Sequence, residues 1–196
     1  MDLVLATRNV DKTQEIRASL DGLGYRILTL EAFPAVPEVV EDGNSYEANA
    51  MKKAKTVTQH TGKMALADDT GLEVDALRGQ PGLFSARFAG EDVTYADNRQ
   101  KLLSLMKEVP AIKRTARFRC VMVLAMPGGQ TRTEEGVIEG IITKEEQGKG
   151  GFGYDPVFYL PALQKTLAQL TLEEKNRVSH RAKALEKIRE ILKSMR

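Results

Sequence analysis

Two neighbouring carboxylates, Asp68 and Asp69, close a short apolar run (Met64-Ala65-Leu66-Ala67) and lead into Thr70-Gly71 and a second extended segment, residues 72–75. Adjacent like charges at the end of a buried strand repel, and a divalent ion or a basic ligand group is the usual remedy. The pair therefore points to metal-dependent chemistry. The plainer alternative is a solvated acidic turn, for which Asp and Gly are ordinary residues. A second group, Thr7-Arg8-Asn9-Val10-Asp11-Lys12, falls between the first expected strand and the first expected helix. Free backbone N–H groups and the helix dipole attract anions at such a junction. Thr7 and Asn9 add side-chain hydrogen bonds and Lys12 adds charge, so a phosphate fits there, as does a simple helix cap with a solvated lysine.

The run Gly150-Gly151-Phe152-Gly153-Tyr154-Asp155-Pro156 joins glycines that let backbone approach a ligand to aromatics that offer a stacking surface for a purine. With Gly148 it formally satisfies G-x-G-x-x-G, but Pro156 excludes the helix a dinucleotide site needs at that point. No G-x-x-x-x-G-K-[ST] occurs, so a P-loop NTPase is excluded on motif grounds. Lys175 and Ser179-His180-Arg181 stand at the entry to the last helix. Arg181 only donates, and His180 donates from at least one ring nitrogen, so both would welcome a purine 6-oxygen and disfavour adenine's amino group. His60 reads as a surface residue.

These groups need a frame. Residues 3–6 read as a buried strand and 12–23 as a helix stopped at Gly24. Asn44 and Glu47 have the spacing of a helix cap and its reciprocal partner, opening a helix that runs to about His60. Its apolar positions are Tyr46, Ala50, Ala54 and Val57; Asn49 and Lys53 share another face, which directs Lys53 away from the core. Residues 95–106 form a further helix, 118–126 and 131–143 a hairpin, and 179–194 the final helix. Strands and helices in this order predict an α/β fold with a mixed sheet.

With 196 residues, 42% hydrophobic and 29% charged, the chain is an ordinary globular one, read as a single domain over 1–196. A net charge of +2 argues against non-specific nucleic-acid binding, which neutralises many phosphates at once. Cys120 is the only cysteine, so no intrachain disulfide forms, and its apolar neighbours predict a buried strand thiol. No apolar segment reaches bilayer length, and Asp2 stands where a signal peptide would be basic, so a soluble cytoplasmic protein without a membrane partner is expected.

Taken in order, Thr7-x-Asn9-x-x-Lys12, Glu41-x-Gly43 with Glu47-Ala48-Asn49-Ala50-x-x-Lys53-Ala54, Asp68-Asp69-Thr70-Gly71-Leu72-x-Val74-Asp75, Pro81-Gly82 with Ser85-Ala86-Arg87, the Gly150 to Pro156 run, and Ser179-His180-Arg181 resemble the inosine triphosphate pyrophosphatase family. The resemblance covers nearly the whole chain. It implies an elongated mixed sheet flanked by helices, in two lobes with the active site in the cleft between them. It also implies hydrolysis of ITP, dITP, XTP and dXTP to monophosphate and pyrophosphate by a homodimeric, Mg²⁺-dependent house-cleaning enzyme. On this chain it makes Asp69 the general base and a metal ligand, Glu41 the other principal ligand and Asp68 a nearby support that completes the metal set. Thr7, Asn9, Lys12 and Lys53 would hold the phosphates, Lys53 counting with Asp69 as catalytic, and Arg8, Val10, Asp11 and Thr70 would also belong to the substrate site. Phe152, Gly153, Tyr154 and Asp155, with Lys175, His180 and Arg181, would hold the nucleoside. Thr70 departs from the serine common there, keeping the hydroxyl and adding a methyl.

Phosphoryl transfer from a triphosphate needs charge neutralisation, an in-line water and a base, and the residues supply each. Lys12 and Lys53 would stabilise the leaving pyrophosphate. A pyrophosphatase for modified pyrimidines or ordinary dNTPs, and a non-catalytic nucleotide binder, are the rival readings.

Overall fold

The computed structural model describes residues 1–195. Leu3, Val4 and Leu5 are fully buried in β1 (Asp2–Leu5), which lies parallel both to β2 (Arg26–Thr29) and to β3 (Met64–Val74). An unbroken apolar run is what a parallel strand covered on both faces requires. Alternation then sorts the core. Leu3, Leu5, Leu66, Met122 and Leu124 pack with α1 (Val10–Leu20) and α5 (His180–Ser194), whereas Val4, Ala6, Ala65, Ala67 and Val123 pack with Ala50, Ala54 and Val57 of α2 (Tyr46–Thr61).

The sheet has seven strands in the order β2-β1-β3-β4-β5-β6-β7, with β4 at Thr115–Ala125, β5 at Thr131–Ile142, β6 at Phe158–Leu160 and β7 at Lys165–Thr166. It is mixed, as expected: β1 has parallel neighbours, and β6 is antiparallel to β5 and β7. The chain divides into two compact units, one of residues 1–69, 120–136 and 180 onward, the other of 70–119 and 137–179. The second unit has its own core, with Leu72, Val74, Phe118, Ile142 and Phe158 packed against Leu102 of α3 (Tyr95–Leu105). Gly140 has no side chain because the Phe158 ring lies 2.6 Å from where a Cβ would stand. Cys120 is buried.

Several expected boundaries move. The first helix begins at Val10, because Asn9 caps it by accepting from the Lys12 N–H, and it ends at Leu20. Ser45, not Asn44, caps α2, accepting from the Ala48 N–H, so Glu47 falls one position early to act as a reciprocal partner. Residues 64–74 form one continuous strand, where a strand ending at the acid pair and a second extended segment were expected. The last helical stretch begins earlier, with α4 (Leu172–Val178), whose Thr171 and Glu174 make a reciprocal cap. Ser179 is extended and breaks it from α5.

Candidate active site

Continuity of β3 decides how the acid pair is used. Successive strand residues face opposite ways, so Asp68 shares the face of Leu66, covered by α1 and α5, and Asp69 that of Ala65 and Ala67, covered by α2. The two carboxylates therefore take their side-chain hydrogen-bond partners from different helices. Asp68 is 1% exposed, and its Oδ2 meets Lys12 Nζ of α1 at 3.0 Å and Arg181 Nη2 of α5 at 3.1 Å. Burial alone would raise the Asp68 pKa, but Lys12, Arg181 and Lys53 outweigh it and hold the carboxyl far below the usual range. Arg181 Nη1 bonds a second buried carboxylate, Glu15 of α1. Burial opposes the Arg181 charge, yet Asp68 and Glu15 fix the guanidinium firmly in its protonated form.

On the other face, Asn49 of α2 donates from Nδ2 to Asp69 Oδ2 at 2.9 Å and accepts at Oδ1 from the Gly43 N–H at 2.8 Å. Lys53, one turn later, donates to Glu41 Oε1 and to the Asp68 carbonyl, both at 2.6 Å. The sequence directs Lys53 away from the core; the structure buries it at 9% exposure, because carboxylates wait for it there. Burial works against its charge, but Asp68, Glu41 and Asp69 raise its pKa on balance. For Asp69 burial is the largest influence and pushes its pKa up, against the lowering effects of Lys53 and Asn49.

The approach to this cluster is the β1–α1 loop. Thr7 Oγ1 accepts from the Asn9 N–H at 3.2 Å, and Asn9 in turn caps α1, which sets Lys12 in its first turn. Arg8 is exposed and donates to the Val36 carbonyl, Val10 is exposed, and Asp11 is half-buried in the first turn of α1. The placement of α5 is equally constrained. A Cβ on Gly136 of β5 would run into the His180 carbonyl and stand 2.6 Å from the Ala184 nitrogen, so helix and strand backbones touch where α5 begins.

In the second unit Asp155 Oδ2 accepts from the Phe152 N–H at 2.9 Å and pairs with Lys175 of α4, whose Nζ lies 4.6 Å from the centre of the Phe152 ring. Asp155 and Lys175 are each 3% exposed, whereas Phe152 is half-buried, with Tyr95 of α3 at 6.0 Å between ring centres. Gly153 gives its carbonyl to Arg99, and Tyr154 donates its hydroxyl to the Ser85 carbonyl at 2.9 Å, with burial raising the phenol's pKa. Thr70, half-buried in β3, opens this unit.

The Ham1 family model matches residues 3–191 of the chain. The chain belongs to the Ham1 family. Among its relatives, the dITP/XTP pyrophosphatase of Desulforamulus reducens is 53% identical over 98% of this chain and 96% of its own, and that of Geobacter sulfurreducens 52% over 93% and 92%. The Ham1 protein of Staphylococcus aureus superposes with a TM-score of 0.89 at 35% identity over both full chains, and that of Coxiella burnetii with 0.90 at 39% over 99% of each.

Within this Ham1 chain the first unit thus gathers Lys12, Glu41, Lys53, Asp68, Asp69, His180 and Arg181, and the second gathers Phe152 to Asp155 with Lys175. Arg181 is aimed otherwise than expected. It pairs with Glu15 and Asp68, because its position on α5 points inward beside Ala184 and Leu185. His180 is buried at the first position of α5. Asp68, expected as a third metal ligand, spends Oδ2 on two side-chain cations. Glu41 and Asp69 offer the hard oxygens Mg²⁺ prefers, and the burial that raises Asp69 is what a divalent ion would relieve. Among the described residues no three His, Cys, Asp or Glu side chains form a ready-made cage; Mg²⁺ ordinarily takes one or two carboxylates and completes its shell with phosphates and water. Sequence reasoning missed Glu15, although it sits three residues after Lys12 and one before Ile16, on the inward stripe of α1. It gave Asn49 no role.

Proposed function

We propose that this chain hydrolyses ITP, XTP, dITP and dXTP to the monophosphate and pyrophosphate. The observation that carries the reading is the junction of Lys12, Lys53, Glu41 and Asp69 around β3, a set of cations and carboxylates suited to a triphosphate and its attacking water. The names of the relatives support the substrate class.

Lys12, with the N–H groups and side chains of Thr7 and Asn9 at the start of α1, binds the phosphates and neutralises charge on the leaving pyrophosphate. Lys53 leaves Glu41 to share that task. Water attacks the α-phosphorus, the new P–O bond forms as the bond to the β-phosphate oxygen breaks, and Asp69 takes the water's proton. An Asp whose pKa is raised by burial suits that role better than an ordinary one. Glu41 and Asp69 would hold Mg²⁺, which when bound polarises the phosphate and acidifies water. Asp68 stays ionised and fixes Lys12, with Arg181 and Glu15 behind it. Phe152 offers a stacking face for a purine, with Lys175 beside it as a donor.

A homodimer and a cytoplasmic location are supported by the family resemblance; light scattering of the pure protein checks the first. No helix among the described residues is long and apolar enough to cross a membrane.

Pyrophosphate release from ITP, XTP, dITP, GTP, ATP and dUTP, with and without Mg²⁺, tests the function. Mg²⁺-dependent turnover of the first three well above the others is expected. Preference for dUTP or ATP would replace the reading with one of its rivals.

A further inference from the structure

The loop that carries Glu41 is held to α2 by side chains from consecutive turns. Lys52 donates to the Val40 carbonyl at 2.9 Å and pairs with Asp42 at 2.6 Å, Lys53 takes Glu41, and Asn49 takes the Gly43 N–H. At Gly43 the contact is tight: a Cβ there would lie 2.6 Å from Asn49 Oδ1 and 2.9 Å from the Ala48 Cβ. Asn49 differs from the two lysines in also reaching the Asp69 carboxylate, from a position only 2% exposed.

We propose that Asn49 is the positioning residue that sets the Glu41 loop against Asp69. The inference rests on the reading of Glu41 and Asp69 as a working pair. The chemistry of the two ends leaves little choice of residue. A backbone N–H can only donate and an ionised carboxylate can only accept, so the bridge must accept at one end and donate at the other. A short primary amide does both from one rigid plane, and these partners also fix which end of the amide is oxygen. Asp would keep the bond to Gly43 and lose the donor to Asp69; Ala would lose both; Gln would be a methylene too long. Buried groups that orient ligands in this way typically change activity 10–100-fold when removed.

The test uses Asn49→Ala and Asn49→Asp in the full chain. Two quantities are read: steady-state pyrophosphate release from ITP, and exchange of the Gly43 amide hydrogen by NMR without substrate or metal. In Asn49→Ala we expect kcat to fall roughly 10–100-fold with KM for ITP within about threefold, and Gly43 exchange to accelerate at least about tenfold. In Asn49→Asp we expect a similar fall in kcat, because a carboxylate now faces Asp69, while Gly43 stays protected. A general loss of structure would speed exchange across α2 in both variants, and a melting curve reports it. Asn49→Ala with kcat within twofold of wild type, or with Gly43 exchange unchanged, overturns the proposal. A wild type inactive on every triphosphate would instead overturn the function, and Gly43 exchange would still decide whether Asn49 holds the loop.

Discussion

Replacing Arg181 by leucine separates two accounts of what its guanidinium is for. The side chain is 1% exposed and sits between Glu15 and Asp68, themselves 3% and 1% exposed. Leucine removes the cation and leaves two buried carboxylates; Asp68 keeps Lys12 at 3.0 Å, while Glu15 loses its arginine. Breaking a buried pair from one side costs about 3–5 kcal/mol. In a chain of this size each kcal/mol lowers Tm by about 2–4 °C, so Arg181→Leu should melt roughly 6–20 °C below wild type. Removing Glu15's charge as well, in Glu15→Gln with Arg181→Leu, should recover a good part of that loss, because one buried anion is gone. Scanning calorimetry on the four proteins of the cycle, with Glu15→Gln alone as the fourth, gives the coupling. Turnover supplies the second half of the argument: kcat/KM for ITP and ATP should fall together, leaving their ratio within about twofold. Were Arg181→Leu to melt within about 3 °C of wild type, or the ITP to ATP ratio to drop tenfold, the guanidinium would be reading the base and the ion-pair account would be wrong.

Asp69→Asn should leave the melting curve near that of wild type and cut turnover at least about a hundredfold, the usual loss on removing a general base or metal ligand; retained turnover in a soluble variant removes Asp69 from the chemistry. Lys12→Ala should weaken ITP far more than inosine monophosphate in a calorimetric titration, since the lysine serves the outer phosphates; equal losses would contradict that. Gly136→Ala should cost about 1–3 kcal/mol, the range for overpacking, and lower kcat through Arg181 and Asp68; an unchanged melting point would show that α5 can step aside.

What the sequence conceals is mostly direction. The acid pair is visible as chemistry, but Asp-Thr-Gly reads as a turn by its residue types, and only the partners on both faces explain why the strand continues through it. Lys53 and Arg181 mislead for a related reason. A charged residue is assigned to solvent or ligand by default, whereas here each lies on an inward stripe with carboxylates supplied by other segments of the chain. For Arg181 the stripe was legible, since Ala184, Leu185 and Ile188 follow at helical spacing. The partner Glu15, 166 residues earlier, was not. The Thr171 and Glu174 cap was open to view and marks α4. By contrast, β7 has only Lys165 and Thr166, too short for any periodic signal.

Gly136 bears on how freely the rest of this protein can vary. Where a helix rests on a strand through side chains, each change of side-chain volume shifts it a little, and the shifts accumulate at its far end. Here α5 rests by main chain on main chain at its first turn, so the arginine's distance from β3 is gauged by atoms that every residue type shares. Aliphatic swaps further along the helix, as at Ile188 and Leu192, meet side chains alone and do not touch this backbone contact. The absence of one methyl group at position 136 acts as a mechanical datum. It sets the first turn of α5 against a stop that no side chain supplies.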